Sequence, residues 1–154
     1  MEIRKARLSD VEKMNSLKKQ TFLKINSKDY PKKVVEEYLK RQTAKKFIQN
    51  MKTGDYFILT EKEKLVGIVD LYDRNVIGSL YIKWDEVGKG YGKKLMNFIE
   101  NYAKKKGLKK VVLYPTITAK KFYEKIGYKP TGKIDTWEIA EHKFKVREMF
   151  KILK

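Results

Sequence analysis

A glycine-rich segment between a strand-like run and a helix-like run places the strongest constraint on the fold of this chain. The segment reads Val87-Gly88-Lys89-Gly90-Tyr91-Gly92, and it follows the β-rich run Val76–Ile82. Beyond it, apolar residues recur at helical spacing, at Leu95, Phe98, Ile99 and Tyr102. The sequence therefore predicts a strand, a glycine loop and a helix in direct succession.

Such a loop favours an anionic ligand, above all a phosphate. Glycines allow backbone torsions and close approaches that a Cβ would block. The helix that follows adds free N–H groups and the positive end of its dipole. Lys89, Lys93 and Lys94 would add positive charge at the same place. A strand-to-helix turn without a ligand is the alternative interpretation of the glycines.

The spacing of the glycines argues against two common nucleotide loops. A P-loop needs G-x-x-x-x-G-K-[ST], but the residue five before Gly92 is Val87, and Lys93 is followed by a second lysine instead of a hydroxyl residue. The dinucleotide pattern G-x-G-x-x-G fails as well, because Lys93 or Leu95 would occupy its last position. A nucleoside triphosphate or NAD is therefore disfavoured.

The N-terminal half predicts a strand, two helices and three antiparallel strands. The strand is Glu2–Ala6, and the capping-box pattern Ser9-x-x-Glu12 predicts the start of the first helix. Pro31 suits the first residue of the second helix, in which we expect a kink or short break near Arg41–Thr43. Runs rich in β-formers predict three successive strands, at Tyr56–Thr60, Leu65–Tyr72 and Val76–Ile82.

The C-terminal half predicts two further helices and at least two strands. Gly107 should end the helix that follows the glycine loop, and Val111–Tyr114 should form a buried strand. Thr118 can cap a short helix that ends at Gly127, and alternating residues from position 144 to 152 suit a half-exposed final strand. The element order β-α-α-β-β-β-α-β-α-β(-β) predicts one α+β domain over residues 1–154.

The composition excludes several classes of protein. With no cysteine and one histidine, the chain can form neither disulfides nor a multi-histidine zinc site, and no metal is expected. His142 stands among charged residues and is expected on the surface. No apolar run reaches about 18 residues and the N-terminus is charged, so a cytoplasmic protein without a membrane span is expected by default.

Two motifs together resemble the GCN5-related N-acetyltransferase (GNAT) family. One is Ser79-Leu80-Tyr81-Ile82 followed by the glycine loop, and the other is the downstream segment Ala119–Tyr128, which reads AKKFYEKIGY. They occur in the order of the family and at roughly its spacing. The resemblance implies a single GNAT-like domain, in which helices flank a mixed, mostly antiparallel sheet. It also implies an enzyme, an acyltransferase that moves an acetyl group from acetyl-coenzyme A to a primary amine by direct attack in a ternary complex.

The same resemblance implies the site residues. Backbone groups of the strand would bind the pantetheine arm at a bulge, and the loop would wrap the pyrophosphate. The cofactor-binding residues would be Leu80, Tyr81, Ile82, Val87, Gly88, Lys89, Gly90, Tyr91, Gly92, Lys93 and Thr116. Val87 stands where the family usually has Arg or Gln, and Thr116 where many members have Asn. A backbone N–H near Ile82 is the candidate donor to the carbonyl oxygen.

Tyr123 resembles the general acid of the family, which protonates the departing thiolate. Core packing beside Phe122 and Ile126 is its alternative role. The general base is left open among Asp70, Asp73, Asp85 and Glu86, each of which could equally be a turn or surface charge.

The acceptor is a small-molecule or protein amine that no motif identifies. The resemblance places its specificity in the regions Val11–Met51 and Lys129–Lys143, the latter as loops between strands. It also leaves a homodimer open, because relatives are often dimers.

The net charge of +18 leaves two alternatives to catalysis. Residues 101–133 contain ten lysines and one acidic residue, Glu124, with aromatic residues between them, as in a nucleic-acid-binding module. No helix-turn-helix, zinc-finger or KH pattern is present, so nucleic acid is not expected as the primary partner. A non-catalytic protein that binds coenzyme A is the other alternative. Coenzyme A accounts for only part of the positive charge.

Overall fold

Seven strands follow the β-rich runs of the sequence and form one sheet. A computed structural model describes all residues, 1–154. The strands are β1 (Glu2–Lys5), β2 (Asp55–Glu61), β3 (Lys64–Tyr72), β4 (Val76–Ile82), β5 (Lys110–Leu113), β6 (Lys129–Ile139) and β7 (His142–Ile152). Their order in the sheet is β1-β2-β3-β4-β5-β7-β6, and only the pair β4/β5 is parallel. The predicted mixed, mostly antiparallel sheet of an α+β domain is confirmed.

Five α-helices flank the sheet. They are α1 (Val11–Thr21), α2 (Lys32–Arg41), α3 (Ala44–Met51), α4 (Tyr91–Lys105) and α5 (Lys120–Lys125). A π-helical turn, Phe22–Asn26, continues α1. The break expected near Arg41–Thr43 is confirmed, since α2 ends at Arg41 and the Thr43 side chain caps α3 by accepting the Lys46 N–H at 3.2 Å. None of the helices combines the length and the apolarity that crossing a membrane requires.

Helices cover both faces of the sheet because successive strand residues point to opposite faces. On one face, Phe57 and Leu59 of β2 pack in a cluster with Leu95 and Ile99 of α4. On the other face, Ile58 lies in a cluster with residues of α1 and α3. β2 and β3 are therefore buried on both sides, and the core is continuous through the sheet.

A bulge in β4 and its short pairing with β5 open the sheet at one place. Along β3 and β4, Ile68 pairs with Tyr81 but Asp70 pairs with Gly78, so β4 holds one extra residue at this point. The bulge that the family resemblance implied is thus present in β4. β4 and β5 pair in register only at Val76 and Val112, and beyond that point they part.

Two predicted helix caps and one predicted loop are wrong. Ser9 does not cap α1; instead the Asp10 carboxylate accepts the Arg7 N–H at 2.7 Å and is held by a bidentate contact with the Arg4 guanidinium. Thr118 does not cap α5, because its hydroxyl accepts a hydrogen bond from Asn26 at 2.9 Å. The segment 129–143, expected as loop, is mostly strand β6 and the turn to β7.

Candidate functional site

The first cleft lies where β4 and β5 part, and its volume is about 550 Å³. β4, the glycine loop, the first turn of α4 and α5 form its walls. It brings together the following sequence-predicted residues: Leu80, Tyr81, Ile82, Val87, Gly88, Gly90, Tyr91, Gly92, Lys93, Thr116 and Tyr123. Lys89 is the exception, because its ammonium pairs with Glu86 at 2.8 Å and does not line the cleft.

The glycine loop has the backbone that an anion site requires. Gly88 and Gly90 have φ values of +87° and +86°, in the left-handed region where a Cβ is strained. The space around both positions is open, so the requirement for glycine is conformational rather than steric. The first backbone hydrogen bond of α4 runs from the Lys94 N–H to the Gly90 carbonyl oxygen, at 3.2 Å. The N–H groups before Lys94 therefore have no partner within the helix, and they lie at its positive end.

Gly92 has a different role, since α4 approaches α5 at this residue. A Cβ on Gly92 would lie 3.3 Å from Cζ of Phe122, which is tight contact. On the opposite side of β4, the Thr21 hydroxyl donates to the Ile82 carbonyl oxygen at 2.9 Å and fastens α1 to the strand. The first cleft is therefore held by contacts from both layers of helices.

Tyr123 lies on α5 at the base of the first cleft, and its side chain is 8% exposed. Its ring packs edge-on against Phe122 and Tyr128, with centroids 5.2 and 5.7 Å away. Burial, followed by the neighbouring Tyr81 phenol, raises the pKa of Tyr123 far above that of a free phenol. The phenol therefore keeps its proton at neutral pH and can only act as a proton donor there.

Asn26 is a site residue that the sequence did not indicate. It is buried in the turn after α1, and its Nδ2 lies 3.5 Å from the Thr116 hydroxyl and 2.9 Å from the Thr118 hydroxyl. An amide from another element therefore stands beside Thr116, the position where many family members carry Asn. The contact joins residues 92 positions apart in the chain, so no local pattern could have revealed it.

The second cleft lies across β4 from the first, and its volume is about 510 Å³. The two clefts share a wall that includes Gly78, Ser79 and Tyr81 at the β4 bulge. Aromatic side chains dominate the second cleft, namely Phe22, Tyr30, Tyr38, Tyr56, Tyr72, Tyr81, Tyr114, Trp137 and Phe144. Four of these nine residues, Phe22, Tyr30, Tyr38 and Trp137, come from the regions where specificity was expected, Val11–Met51 and Lys129–Lys143.

Three charged residues line the second cleft, Lys18, Lys46 and Asp70. Asp70 on β3 is 2% exposed, and its Oδ1 has no hydrogen-bond partner. Burial raises the pKa of Asp70 to about 6, although Ser79, Lys18 and Tyr56 act in the opposite direction. Burial also lowers the pKa of Lys18 to about 8. The sequence did contain a signal for Asp70, since it is the one charge in the apolar run 65–71.

The other candidate bases lie elsewhere. Asp73 is exposed in the turn between β3 and β4, Asp85 pairs with Lys83 at 2.9 Å, and Glu86 pairs with Lys89. None of the three lines the second cleft. His142 is exposed at the turn between β6 and β7, as expected. No group of three or more His, Asp or Glu side chains could hold a metal ion.

Comparisons with known proteins agree with the fold. The family model for the acetyltransferase (GNAT) domain matches residues 14–139. No curated protein gives a significant sequence match. A GCN5-related N-acetyltransferase from Rhodopseudomonas palustris superposes with a TM-score of 0.90 at 22% identity, over 99% of this chain and 95% of that chain.

Two further solved structures have the same fold. The PaiA N-acetyltransferase from Thermoplasma acidophilum, solved in complex with coenzyme A, gives a TM-score of 0.80 at 20% identity, over 98% of both chains. The ribosomal-protein-S18-alanine N-acetyltransferase from Escherichia coli gives 0.74 at 14% identity, over 99% of this chain and 93% of that chain.

The buried Asp70 carboxyl predicts a pH-dependent gain in stability for Asp70→Asn. Because burial raises its pKa in the folded state, Asp70 stabilises the fold most below its unfolded pKa, and this contribution is lost as the pH rises through about 6. The stability difference between Asp70→Asn and the wild type, taken from free energies of unfolding in urea, should therefore shift in favour of Asp70→Asn as the pH rises from 4 to 7. A difference that does not change with pH would contradict the buried, raised-pKa carboxyl.

Proposed function

The chain belongs to the GNAT family of acetyltransferases, and we propose that it transfers an acetyl group from acetyl-coenzyme A to a primary amine by direct attack in a ternary complex. One observation carries this proposal. Two clefts of similar volume meet at the bulge of β4, one with an anion-binding loop and the other with a buried carboxylate. Each of the two substrates can thus reach the same point from its own side of the strand.

The first cleft suits the coenzyme. The free N–H groups between Gly88 and Lys93 can bind the pyrophosphate, and the Lys93 ammonium lines the same space. Ser79 and Leu80 have no register partners on β3, so their backbone is available to a pantetheine arm that lies along β4. Acetyl-coenzyme A would supply the activated acyl group as a thioester, and the chain would bind and orient it.

The reaction has three requirements, and groups at the β4 bulge and at the base of the first cleft would meet two of them. A backbone N–H of the bulge between Ser79 and Ile82 would donate to the thioester carbonyl oxygen as negative charge develops there. The phenol of Tyr123, which lines the first cleft, would give its proton to the departing thiolate. The amine must arrive without its proton, which calls for a base in the second cleft.

The alternative of nucleic-acid binding receives no support from the aromatic residues of the lysine-rich segment. The Tyr102 hydroxyl donates to Asp55 and the Tyr128 hydroxyl to Glu100, each at 2.9 Å. Phe122 and Tyr123 line the first cleft. These aromatic residues form hydrogen bonds within the fold or line a cleft, so they do not form the exposed stacking platform that single-stranded nucleic acid requires.

The function is tested by following thiol release from acetyl-coenzyme A over a panel of amines. The panel should include alkylamines, polyamines, amino acids, aminoglycosides and peptides with free N-termini. We expect release that depends on the amine, with a mass increase of one acetyl group on the product. A protein that binds coenzyme A but releases no thiol with any amine would support the non-catalytic alternative.

Tyr123→Phe should lower turnover while it leaves the affinity for coenzyme A almost unchanged. The substitution removes the proton donor but keeps the packing of the ring, and such a donor contributes on the order of 10²–10⁴-fold to the rate. Steady-state kinetics together with calorimetric titration of coenzyme A would measure both effects. Tyr102→Phe, which removes a hydroxyl outside both clefts, is the matched control. Unchanged turnover in Tyr123→Phe would mean that Tyr123 only packs the core.

Gly90→Ala should weaken coenzyme A binding, because an alanine at φ +86° distorts the loop. The strain is roughly 1–2 kcal/mol, which corresponds to about tenfold in affinity if binding requires the present backbone. Gly107→Ala is the matched control, since Gly107 has φ +84° in open space at the other end of α4. Both variants should lose similar stability in urea. If they also lost similar affinity, the glycine loop would have no direct role.

A further inference from the structure

Asp70 is a buried ionisable side chain that has the neutral hydroxyls of Ser79 and Tyr56 beside it but no ion-pair partner within the protein. It is 2% exposed and takes part in no ion pair, and its Oδ1 has no hydrogen-bond partner. An unpaired buried carboxylate is costly, so protein interiors normally exclude it or pair it. A ligand with positive charge and N–H donors would supply the missing partner.

The position of Asp70 places that ligand at the shared wall of the two clefts. In the sheet, Asp70 stands opposite Gly78, one residue before the bulge at Ser79. A Cβ on Gly78 would lie 3.3 Å from Asp70 Oδ1 and 2.8 Å from a ring carbon of Tyr72. Gly78 therefore lets the Tyr72 ring and the Asp70 carboxylate pack against β4, and Asp70 lines the second cleft beside the point where the thioester would lie.

The surroundings of Asp70 favour an ammonium group. Tyr56 lies beside the carboxylate, and Tyr72 borders the same space. Aromatic faces attract cations, and the tyrosine hydroxyls can accept N–H bonds.

Lys18 does not fill this role, although it belongs to the same cleft. Its ammonium lies over the rings of Phe47 and Tyr81, 5.5 and 5.6 Å from their centroids, and it forms no ion pair with Asp70 within 4.0 Å. The nearest cation of the chain is therefore held on aromatic rings beside the carboxylate, which leaves Asp70 free for an ammonium from outside.

We propose that Asp70 binds the ammonium of the acceptor amine and then accepts its proton, as the general base of the transfer. The assignment deepens the proposed function and rests on it for the catalytic step. It selects Asp70 from the four carboxylates that the sequence left open.

The proposed step balances in protons and electron pairs. The acceptor ammonium gives one proton to Asp70, and the free electron pair of the nitrogen forms the C–N bond with the acetyl carbon. The C–S bond breaks, and its electron pair leaves on the sulfur, which takes a proton from Tyr123. Tyr123 is restored by the second proton that the nitrogen loses, and Asp70 returns its proton to solvent. The products are the amide, free coenzyme A and one proton.

The pH dependence of binding follows from the groups that face Asp70. These are Lys18 on α1, Tyr56 on β2, Tyr72 on β3 and the Ser79 hydroxyl on β4. Asp70 is charged above about pH 6, and a simple alkylamine stays protonated to about pH 10. Ammonium binding should therefore strengthen as the pH rises from 5 to 7.5.

Binding of n-butylammonium to the full chain, measured by calorimetry at pH 7.5, tests the proposal without requiring catalysis. We expect binding by the wild type, at least tenfold weaker binding by Asp70→Asn, and an unchanged affinity in Asp73→Asn, whose carboxylate is exposed and lies outside the cleft. N,N,N-trimethylbutylammonium, which has no N–H donor, should bind at least tenfold more weakly than n-butylammonium. Circular dichroism checks that both variants are folded.

The wild type alone provides a second measurement should Asp70→Asn fail to fold. Its affinity for n-butylammonium should fall about tenfold between pH 7.5 and pH 5. Any one of three results would overturn the proposal: the wild type does not bind n-butylammonium, its affinity does not depend on pH, or Asp70→Asn binds with equal affinity.

A kinetic experiment then separates this inference from the proposed function. With an amine that is turned over, Asp70→Asn should lower kcat/KM by on the order of 10²-fold at pH 7.5. The loss should shrink as the pH approaches the pKa of the amine, since the free amine then needs no base. A loss that stays constant with pH would exclude Asp70 as the base. Binding of n-butylammonium without acetyl transfer to any amine would leave the ammonium site standing and reject the transferase function.

Discussion

The structure depends on one irregularity in its sheet, the extra residue in β4. A regular strand would continue its pairing with β3 on one side and β5 on the other, and the sheet would be closed at this point. Because Ser79 takes a left-handed backbone with φ +44°, the register shifts, and the backbone of Ser79 and Leu80 is released from β3. A non-glycine residue in this region is strained, and such strain is typical of functional sites.

Both clefts are consequences of this local geometry. β5 pairs with β4 only at Val112, so the far half of β4 has the glycine loop, α4 and α5 on one side. On its other side lie α1, α2 and the hairpin β6–β7, which supply the aromatic wall. The hydrogen bond from Thr21 to the Ile82 carbonyl holds α1 against the end of the same strand. Buried carboxylate, phenol and free backbone groups are thereby gathered around a few residues of β4.

The sequence revealed those features that depend on local chemistry. The glycine loop could be predicted because left-handed torsions at positions 88 and 90 demand glycine. The central strands could be predicted because runs of β-branched and aromatic residues mark them. The caps at Ser9 and Thr118 were wrong because distant or stronger partners, Arg4 with Asp10 and Asn26 with Thr118, determine those contacts. Asp70 could be noticed as the one charge in the apolar run 65–71, but its importance also depends on the bulge of β4 opposite it, which β3 does not encode.

The central claim is that the reacting groups meet at the β4 bulge, and a crystal structure with coenzyme A and an amine-bearing acceptor analogue tests it most directly. We predict that the pyrophosphate lies against the N–H groups of the loop from Gly88 to Lys93. The coenzyme sulfur should lie within hydrogen-bond distance of the Tyr123 hydroxyl, and the acceptor nitrogen should lie between Ser79 and the Asp70 carboxylate. The account would be contradicted if the coenzyme bound outside the first cleft. It would also be contradicted if β4 formed an unbroken wall between the coenzyme sulfur and the acceptor nitrogen.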